Sequence, residues 1–474
     1  MSLILKIGLE KKTDVLRLNE DGDSENKKGN KMGKYDLIVL GAGPAGYSAA
    51  IRAVQLGKKV LLIEEDKIGG TCLNRGCIPT KYLWETLHLY KRINRAKDYG
   101  ISAQTNPLEF EPVQQKSLKN IEMMGKGLKK LLDSYNLNVL EGKAEIKDPN
   151  SIRIITGNNE KEIRYDKLII ATGSRAKDLP SIKINHDNII DSTDILNLKA
   201  APKSLLIIGG GVIGVELANI FSKFSESVII VEKESQILPE ENAEFAEEVQ
   251  KILERAGVEV KTSFQFSDEI LSKYEKVLLA VGRSPNIEAL GLEKNGIKVS
   301  KNGIDVNEYL QTAKNNIYAA GDVTGNSYLA YIAQADGVRA VENAFGGNRT
   351  ADYKAIPKII FSDPPAASVG NTSDTDDEII SGKFPFSANS RAVIENERIG
   401  WVKIYINKST NQLVGGQMVG PHAEELIEII SVGVKNKLKA ESLSREVFFH
   451  PSLSEAIHCA CEDALNKCVD LPKK

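Results

Sequence analysis

One glycine pattern occurs twice in this chain, each time between a short apolar run and an apolar stretch with helical spacing. The first copy is Gly41-Ala-Gly-Pro-Ala-Gly46, which follows the predicted strand Asp36–Leu40. The second copy is Gly209-Gly-Gly-Val-Ile-Gly214, which follows the predicted strand Leu205–Ile208. A strand, a glycine turn and a helix that lead to another strand form a dinucleotide-binding unit of the doubly wound α/β fold. The pattern therefore predicts two such units in one chain.

Both copies continue alike, with one constant offset of 168 residues (41 to 209) that also relates an acidic residue in each copy. The predicted helices run to Leu56 and over Val215–Phe224, and the next strands are Lys59–Ile63 and Val228–Val231, followed by Glu64 and Glu232. The first glycine makes a tight turn, the second lets the backbone approach a pyrophosphate, and the third lets helix and strand pack closely. The acidic residue accepts hydrogen bonds from ribose hydroxyls. One copy alone is also typical of a flexible turn, but two in this context predict two bound dinucleotides.

The acidic residue of the second copy indicates which nicotinamide coenzyme binds. A 2′-phosphate would lie against the Glu232 carboxylate and be repelled by it, whereas NADP enzymes usually place arginine there. The segment 232–238 contains one lysine and no arginine. The sequence therefore favours NAD.

Two cysteines follow the first copy, in the segment Gly69-Gly-Thr-Cys72-Leu-Asn-Arg-Gly-Cys77-Ile-Pro-Thr-Lys81. Thiols five residues apart would not meet on a straight helix, but Gly76 permits a local distortion that could bring their Cβ atoms to the ~4 Å of a disulfide. A thiol near a helix N-terminus has a lowered pKa, which suits a thiolate at Cys77. Two small buried residues, or half of a metal site, are the other interpretations of such spacing.

Composition excludes several classes of protein. The chain has 474 residues, which suggests about three domains, and its net charge of −2 provides no basic field for nucleic acid. No apolar run approaches the ~20 residues of a membrane span. The N-terminal stretch is rich in acidic residues and lacks a secretory apolar core. We therefore expect a cytoplasmic protein that binds neither nucleic acid nor membrane, in which paired cysteines are more often catalytic or metal-binding than structural.

The chain resembles the pyridine-nucleotide disulfide oxidoreductases over 35–466, because the dithiol segment is similar to the redox-disulfide signature of that family. Leu73 and Ile78 resemble the dihydrolipoamide dehydrogenases, whereas glutathione and mercuric reductases more often have valine at both positions. Four further family marks are Ala171-Thr-Gly173, Val281-Gly-Arg-Ser-Pro-Asn286, Ala320-Gly-Asp322 and His450-Pro-Ser-Leu-Ser-Glu455.

The resemblance implies a redox disulfide between Cys72 and Cys77, with Cys72 exchanging with substrate and Cys77 facing the flavin. It further implies that Lys81 pairs with Glu216 near the flavin. The cofactors implied are FAD and NAD. The residues expected to hold FAD are Gly41, Gly43, Pro44, Ala45, Gly46, Glu64, Gly70, Thr71, Lys81, Ala144, Thr172, Gly173, Asp322 and Ala330. Those expected to hold NAD are Gly209, Gly211, Val212, Ile213, Gly214, Glu216, Glu232 and Gly282.

His450 and Glu455 are the expected acid–base pair, supplied in this family by the neighbouring subunit of a homodimer. Thiol exchange needs a thiolate, and a histidine near neutrality can take the proton and later return it. A carboxylate on the other ring nitrogen would fix the tautomer. Ser452-Leu-Ser-Glu455 is also a capping box, so Glu455 has a structural interpretation as well.

The expected reaction is oxidation of protein-bound dihydrolipoamide, with a lipoylated E2 or glycine-cleavage H-type protein as the carrier. The alternatives are an NAD(P)H-dependent reductase of another disulfide or of mercuric ion, and a non-catalytic scaffold or adhesin. The dithiol, Lys81 and His450 argue against a scaffold, which has no use for that set.

The predicted architecture is α/β, with two Rossmann-like domains for FAD and NAD and a C-terminal α+β dimerisation domain. Its expected strands Trp401–Ile406 and Gln412–Val419 precede helices Glu424–Lys437 and Ser454–Lys467. The predicted segments are a disordered extension at 1–33, with a short strand or helix possible at 2–18, FAD-binding parts at 34–175 and 284–352, an NAD-binding domain at 176–283, and an interface domain at 353–474.

Three further cysteines, Cys459, Cys461 and Cys468, lie near the C-terminus beside His458. On one helix the last two would be ~10 Å apart, too far to bond, and the first two would face different sides. Buried small residues are the favoured interpretation, a zinc site that uses His458 is the lesser one, and we expect no metal.

Overall fold

The computed structural model describes residues 34–265 and 268–472. The predicted disordered extension at 1–33, with its strand or helix at 2–18, lies outside these residues. The described chain divides into two compact units. The first comprises residues up to Asn74 with Asn120–Arg175 and Arg283–Ala351, and the second comprises Arg75–Lys119, Ala176–Gly282 and Asp352 onward. Each unit is described by itself.

The described strands, in chain order, are β1 Tyr35–Leu40, β2 Val60–Glu64, β3 Asn138–Glu141, β4 Lys143–Asp148, β5 Ser151–Thr156, β6 Asn159–Ile170, β7 Ser174–Ala176, β8 Ile189–Ile190, β9 Ser204–Ile208, β10 Ser227–Val231, β11 Val258–Lys261, β12 Lys276–Leu279, β13 Arg283–Pro285, β14 Val299–Ser300, β15 Gly303–Ile304, β16 Ile317–Ala319, β17 Lys358–Ile360, β18 Ala366–Gly370, β19 Ile379–Pro385, β20 Trp401–Asn407 and β21 Leu413–Val419. The α-helices are α1 Pro44–Gln55, α2 Gly70–Arg75, α3 Cys77–Asn94, α4 Phe110–Ser134, α5 Ser192–Ile195, α6 Val212–Phe221, α7 Ala243–Arg255, α8 Ala330–Ala344, α9 Ser390–Ile394, α10 Ala423–Lys435, α11 Ala440–Ser444 and α12 Glu455–Ala464.

The first unit is built on a sheet with the order β3-β2-β1-β6, in which β16 also pairs with β6 in parallel. The strand β6 is long enough to serve two partners. Its second half pairs in parallel with β1, and its first half pairs antiparallel with β5, which continues to β4. The strand β1 is almost wholly buried, as expected for a parallel sheet covered on both faces. Helices α1 and α8 cover one face, and Gly337 allows them to touch because a Cβ there would lie 2.1 Å from the Ala45 carbonyl oxygen.

The second unit contains two sheets. One is parallel, with the order β11-β10-β9-β12-β8, and α6 packs on it with a stretch of eight buried residues. The other is antiparallel, with the order β17-β18-β21-β20-β19, and α10 and α12 cover it. The predicted α/β class, with two Rossmann-like sheets and a C-terminal α+β part, is confirmed. None of the helices in the described residues is long and apolar enough to cross a membrane.

Most predicted elements lie within one or two residues of the observed ones, and two helices differ. The predicted helix Val215–Phe224 begins three residues earlier, at Val212, because the last glycine of the second fingerprint already lies inside it. The predicted helix Ser454–Lys467 ends at Ala464, and Asn466 then turns the chain with a φ of 55°. The predicted division into five segments stays a prediction.

Candidate active site

The first glycine fingerprint, the segment 41–46, forms a tight turn between β1 and α1. Gly41 has a φ of +96°, and its N–H donates to the Ile63 carbonyl at 2.7 Å. A Cβ at Gly46 would lie 1.7 Å from the Gly41 carbonyl oxygen. The first and third glycines are therefore required by the chain's own packing.

The second fingerprint, the segment 209–214, repeats this geometry between β9 and α6. Gly209 has a φ of +108°, and its N–H donates to the Val231 carbonyl at 2.9 Å. A Cβ at Gly214 would lie 2.1 Å from the Gly209 carbonyl oxygen. The offset of 168 residues in the sequence is thus also an equivalence of structure.

The middle glycines, Gly43 and Gly211, have no such internal requirement. Their φ angles are −70° and −74°, which any residue adopts. A Cβ at Gly43 would approach only the Gly70 Cα, at 3.9 Å, and one at Gly211 would meet no described atom within 4 Å. Each is the N-cap of its helix, where backbone N–H groups and the helix dipole favour a phosphate. The open space at both positions fits a dinucleotide pyrophosphate.

The two acidic residues, Glu64 and Glu232, are held in the same way. One carboxylate oxygen of Glu64 accepts from Ala42 N at 2.6 Å and the other accepts from Asp66 N at 3.0 Å. Glu232 accepts from Gly210 N at 2.7 Å and from Glu234 N at 2.9 Å. Each carboxylate keeps lone pairs for ribose hydroxyls. Burial raises the pKa of Glu64, and the two backbone N–H groups oppose that shift.

Asp322 lies at the carboxyl end of β16, where the sequence predicts a contact with FAD. Its carboxylate accepts a hydrogen bond from the Ser174 hydroxyl at 2.5 Å, and the Arg283 Nε donates to that same hydroxyl at 2.7 Å. Burial raises the pKa of Asp322, although Ser174 and Arg283 both act against the shift. A half-buried carboxylate held by one hydroxyl keeps acceptor positions that fit a polyhydroxyl chain such as ribityl.

The other residues predicted to bind FAD, apart from Lys81, lie in the same unit. Ala144 is half-buried on β4, whose entry turn is held beside Glu64 by a hydrogen bond from Gly142 N to the Glu64 carbonyl at 2.9 Å. Thr172 donates from its hydroxyl to the Asn286 carbonyl at 2.7 Å. The remaining members are Pro44 and Ala45 at the start of α1, Gly70 and Thr71 in α2, Gly173 after Thr172, and Ala330 at the start of α8.

The dithiol segment is divided between two helices. Cys72 lies in α2 and Cys77 is the first residue of α3, and the chain breaks at Gly76, whose φ of −141° and ψ of −108° are not helical. The distortion at Gly76 and the position of Cys77 at a helix N-terminus are as predicted. Burial raises the pKa of Tyr47 on α1, and the charge of Cys72 raises that pKa further. Tyr47 is therefore a neighbour of Cys72 that the sequence did not reveal.

Lys81 lies one turn after Cys77 on α3, on the same helix face. Its Nζ donates to both carboxylate oxygens of Glu216, at 2.9 and 3.1 Å, and lies 4.3 Å from the centre of the Phe361 ring. Glu216 is buried on α6 and also accepts from Phe361 N at 3.1 Å. The predicted pair is present, and Phe361 is a second residue that the sequence did not reveal.

His450 and Glu455 also form the predicted pair. The His450 Nδ1 lies 3.0 Å from Glu455 Oε1, while Glu455 Oε2 accepts from Ser452 N at 2.7 Å. One oxygen of Glu455 thus holds the backbone just before α12, and the other orients the imidazole. The predicted capping box is only half formed, because the N-cap of α12 is Ser454 and has no side-chain cap. The His450 side chain is 69% exposed, so its Nε2 face is available to another molecule.

Comparison with known proteins decides the family. The model described as "Pyridine nucleotide-disulphide oxidoreductase" matches residues 35–337, and that of the family's dimerisation domain matches residues 356–461. The chain belongs to the pyridine nucleotide-disulphide oxidoreductase family. FAD and NAD are its cofactors, as predicted, and the open middle glycines and the held acidic residues fit both dinucleotides.

Curated relatives within the family match over nearly their full length. A dihydrolipoyl dehydrogenase of Geobacillus stearothermophilus is 36% identical over 452 residues, which covers 91% of this chain and 96% of the relative. A dihydrolipoyl dehydrogenase of Bacillus subtilis (strain 168) is 35% identical over 459 residues, or 90% and 96% of the two chains.

Two solved structures of similar proteins cover the chain to the same extent. LpdA from Mycobacterium tuberculosis has a TM-score of 0.82 at 26% identity and covers 90% of this chain and 98% of its own. RclA from Escherichia coli, a HOCl-induced flavoprotein disulfide reductase in a Cu(II) complex, has a TM-score of 0.81 at 29% identity and covers 91% and 99%.

The structure reveals how two family marks bind each other. Asn286 of one mark reaches the other, Ala171-Thr-Gly173, where it donates through Nδ2 to the Thr172 carbonyl at 2.9 Å. Arg283 of the same mark donates to Ser174, the next residue of the chain after Gly173. Sequence reasoning noted both segments but did not connect them, because a contact over more than 100 residues has no local signal. Three more residues are predicted to bind NAD. Val212 and Ile213 belong to the second fingerprint and begin α6, and Gly282 has a φ of +111°.

The C-terminal cysteines correct one prediction. Cys461 is wholly buried and Cys459 is 4% exposed, as expected of small core residues. Cys468, however, does not lie on the same helix, because α12 ends at Ala464. The turn at Asn466 instead returns Cys468 to Cys459, a pairing that the assumption of one continuous helix had hidden.

Proposed function

We propose that this flavoprotein disulfide oxidoreductase is a dihydrolipoyl dehydrogenase, which oxidises protein-bound dihydrolipoamide and reduces NAD⁺. The full-length similarity to curated dihydrolipoyl dehydrogenases, at 35–36% identity, carries the proposal. The dithiol at a helix break, with Lys81 one turn away, supports it.

In the proposed reaction, a thiolate of dihydrolipoamide attacks Cys72 in the Cys72–Cys77 disulfide. A mixed disulfide forms between the substrate and Cys72, and Cys77 is released as a thiolate. The second substrate thiol then attacks the mixed disulfide, so that lipoamide leaves oxidised and both cysteines are left reduced. The helix N-terminus at Cys77 favours its thiolate form. FAD, held at Gly43 and Glu64, would supply the acceptor for the electron pair of the two thiols. NAD⁺, held at Gly211 and Glu232, would supply the final acceptor.

His450 is the proposed base of this exchange. Its Nδ1 faces Glu455, which leaves Nε2 to take the proton of the substrate thiol and to return it later. Lys81 and Glu216 are the proposed charged pair near the flavin, where Glu216 keeps the ammonium group in place.

The proposed assembly is a homodimer in which His450 serves the partner's dithiol. The match of residues 356–461 to a dimerisation domain and the exposure of His450 support this arrangement. The proposed protein partner is a lipoylated E2 or a glycine-cleavage H-type protein. The cytoplasmic location stays a prediction that cell fractionation can test.

A second candidate is a reductase of another disulfide or of a metal ion. The structural similarity to RclA favours it, since that protein is named as a disulfide reductase. The decisive experiment compares kcat/KM for dihydrolipoamide with NAD⁺ against kcat/KM for glutathione disulfide and Hg²⁺ with NADH. A clear preference for dihydrolipoamide is expected, and a preference for either other substrate would contradict the proposal.

The shared site is tested by mixing two inactive variants, Cys72→Ser and His450→Ala, under conditions that exchange subunits. Each heterodimer then has one site with both defects and one site with neither, so about a quarter of all sites should regain activity at random mixing. A matched control is His186→Ala, because His186 has the same exposed contact between Nδ1 and a carboxylate, at 2.9 Å from Asp194. That variant should keep its activity. If exchange is shown by mass spectrometry and activity does not return, His450 is not a base that acts across the dimer.

A further inference from the structure

A cluster of soft and acidic ligands lies at the end of α12, outside the residues of the proposed reaction. The Sγ atoms of Cys459 and Cys468 and a carboxylate oxygen of Glu462 all lie within 4.8 Å of one another. The carboxylate of Asp470 accepts from the Cys459 thiol at 3.8 Å. Three potential ligands therefore converge where the chain folds back over its last helix, and Asp470 contacts one of them.

The backbone explains why these side chains meet. Cys459 and Glu462 are three residues apart on α12 and therefore share a helix face. After Ala464 the turn at Asn466 reverses the chain, which brings Cys468 and Asp470 to that face. His458 Nε2 lies 3.5 Å from Glu462, so the carboxylate has an orienting partner of the kind that metal ligands commonly have.

The composition of the cluster suits a cation, because its two Sγ atoms and its carboxylate oxygen become anionic ligands when they are deprotonated. Without a cation these groups oppose each other's ionisation. A divalent ion reverses this, because it favours the thiolates and is itself favoured by the carboxylates.

We propose that Cys459, Cys468 and Glu462 bind one thiophilic divalent cation, with zinc the best match and with Asp470, which contacts Cys459, the residue nearest to the fourth position. Zinc takes four ligands in a tetrahedron, with sulfur at about 2.3 Å, so its ligands lie within roughly 4 Å of each other. Both thiols lose a proton on binding, and no oxidant or reductant is needed.

The site would be structural rather than catalytic. It would fix 465–470 to α12, whose first residue is Glu455, the proposed partner of His450. This inference goes beyond the proposed function, since neither the dithiol nor the cofactors take part in it.

A disulfide between Cys459 and Cys468 is the competing explanation. It would make no use of the adjacent Glu462 carboxylate, whereas a cation uses that carboxylate and both thiols. Disulfides are also uncommon in the reducing compartment where this protein is predicted to work.

The test uses FAD-loaded holoenzyme carrying Cys72→Ser and Cys77→Ser, so that the redox dithiol cannot bind the metal. After chelation and dialysis against Zn²⁺, mass spectrometry of the metal should find about one zinc per chain, with absorption spectroscopy at the zinc edge showing two sulfur ligands at about 2.3 Å. Adding Cys459→Ala and Cys468→Ala should weaken zinc binding by about 100-fold or more.

Cys461→Ala is the matched control, because Cys461 is a buried cysteine of the same helix outside the cluster. It should bind zinc like its parent. If Cys459→Ala does not fold, Glu462→Gln keeps both thiols and should still weaken zinc binding by about 10-fold. Zinc uptake that the cluster variants leave unchanged would overturn the proposal, as would a Cys459–Cys468 disulfide in peptide maps of protein purified without metal.

Discussion

The two dinucleotide-binding units are the parallel sheets that carry the glycine fingerprints. They have the same fingerprint geometry and differ in the origin of the fifth strand of the sheet. In the first unit that strand is β16, which comes late in the chain and ends at Ala319, just before Gly321-Asp322. In the second it is β8, which comes before the fingerprint and leads into α5. Only in the first does the fifth strand lead into the segment that presents the half-buried Asp322, held by Ser174. The fingerprint and its acidic residue, present in both units, suit the adenosine and pyrophosphate that both cofactors have. The Asp322 carboxylate, present only in the first unit, suits the ribityl chain of FAD.

The units also differ on the helix that follows the glycines. Ser48 of α1 occupies the position that Glu216 occupies on α6, at the same offset of 168 residues (48 to 216). Ser48 is a small buried residue, whereas Glu216 brings a buried charge that Lys81 neutralises. Equivalent backbone positions in the two units therefore have different roles, and substitutions at matched positions can distinguish these roles.

The largest expected effect comes from the third glycines. Gly46→Ala forces a Cβ against the Gly41 carbonyl, so the purified variant should lose bound flavin. Gly214→Ala makes the same clash in the other unit, so it should keep the flavin while the KM for NAD⁺ rises by about 100-fold. Flavin absorbance and steady-state kinetics measure both. If Gly214→Ala were colourless and Gly46→Ala yellow, the assignment of the two units would be reversed.

Substitution of the second glycine of either fingerprint should weaken cofactor binding and leave the fold intact. Gly43→Ala and Gly211→Ala place a methyl group in open space, where only a pyrophosphate would meet it. We expect weaker flavin retention in the first and an NAD⁺ KM raised by about 100-fold in the second, with melting temperatures of the cofactor-free proteins near wild type. A large drop in those melting temperatures would indicate that these glycines serve packing instead.

The acidic residue of the second unit should decide the coenzyme. The Glu232 carboxylate, held by two backbone N–H groups, cannot turn away from a 2′-phosphate. We expect kcat/KM for NAD⁺ to exceed that for NADP⁺ by at least about 100-fold and Glu232→Ala to narrow the ratio. Preference for NADP⁺ in the wild type would contradict this account of Glu232.

Removing the partner of the buried Glu216 carboxylate on α6 should lower the stability of the folded protein. Lys81→Met leaves the Glu216 carboxylate buried with one backbone donor, at an expected cost of about 1–3 kcal/mol in the free energy of unfolding, since Lys81 is itself partly exposed. Adding Glu216→Gln should recover much of that loss. Denaturant unfolding of the two variants measures it, and equal stability of Lys81→Met and wild type would show that the pair adds nothing.

The smallest effect concerns the pH dependence of the cofactor-free protein. Burial raises the pKa of Glu64 in the folded state, so the folded state holds this proton more tightly than the unfolded one. The contribution of Glu64 to stability is therefore present below its unfolded pKa and is lost as pH rises through the folded pKa. Glu64→Gln should remove this fall in stability as pH rises above the ordinary glutamate pKa of 4.5, as measured by urea unfolding. An unchanged slope would contradict the pKa shift.

Local patterns predicted much of this molecule. Alternation, glycine turns and capping residues predicted both fingerprints and the helix break at Gly76, because those features depend on neighbours in sequence. The contacts of Ser174, Arg283 and Phe361 depend on distant segments and were not predictable. The return of Cys468 to Cys459 was missed because Asn466, whose left-handed conformation ends the helix, is a weaker stop signal than glycine. His450 and Glu455 were predicted through the family resemblance rather than from spacing.

The central claim is that Cys77 faces the flavin and Cys72 faces the substrate. The visible spectrum of the FAD-loaded protein tests it most directly. Wild type should gain a long-wavelength charge-transfer band on anaerobic reduction with NADH, and Cys77→Ser should never show the band. Cys72→Ser should show it before any reduction, because Cys77 then has no disulfide partner and keeps its thiolate beside the flavin. A band that persists in Cys77→Ser, or that appears without reduction in Cys77→Ser and not in Cys72→Ser, would contradict the assignment.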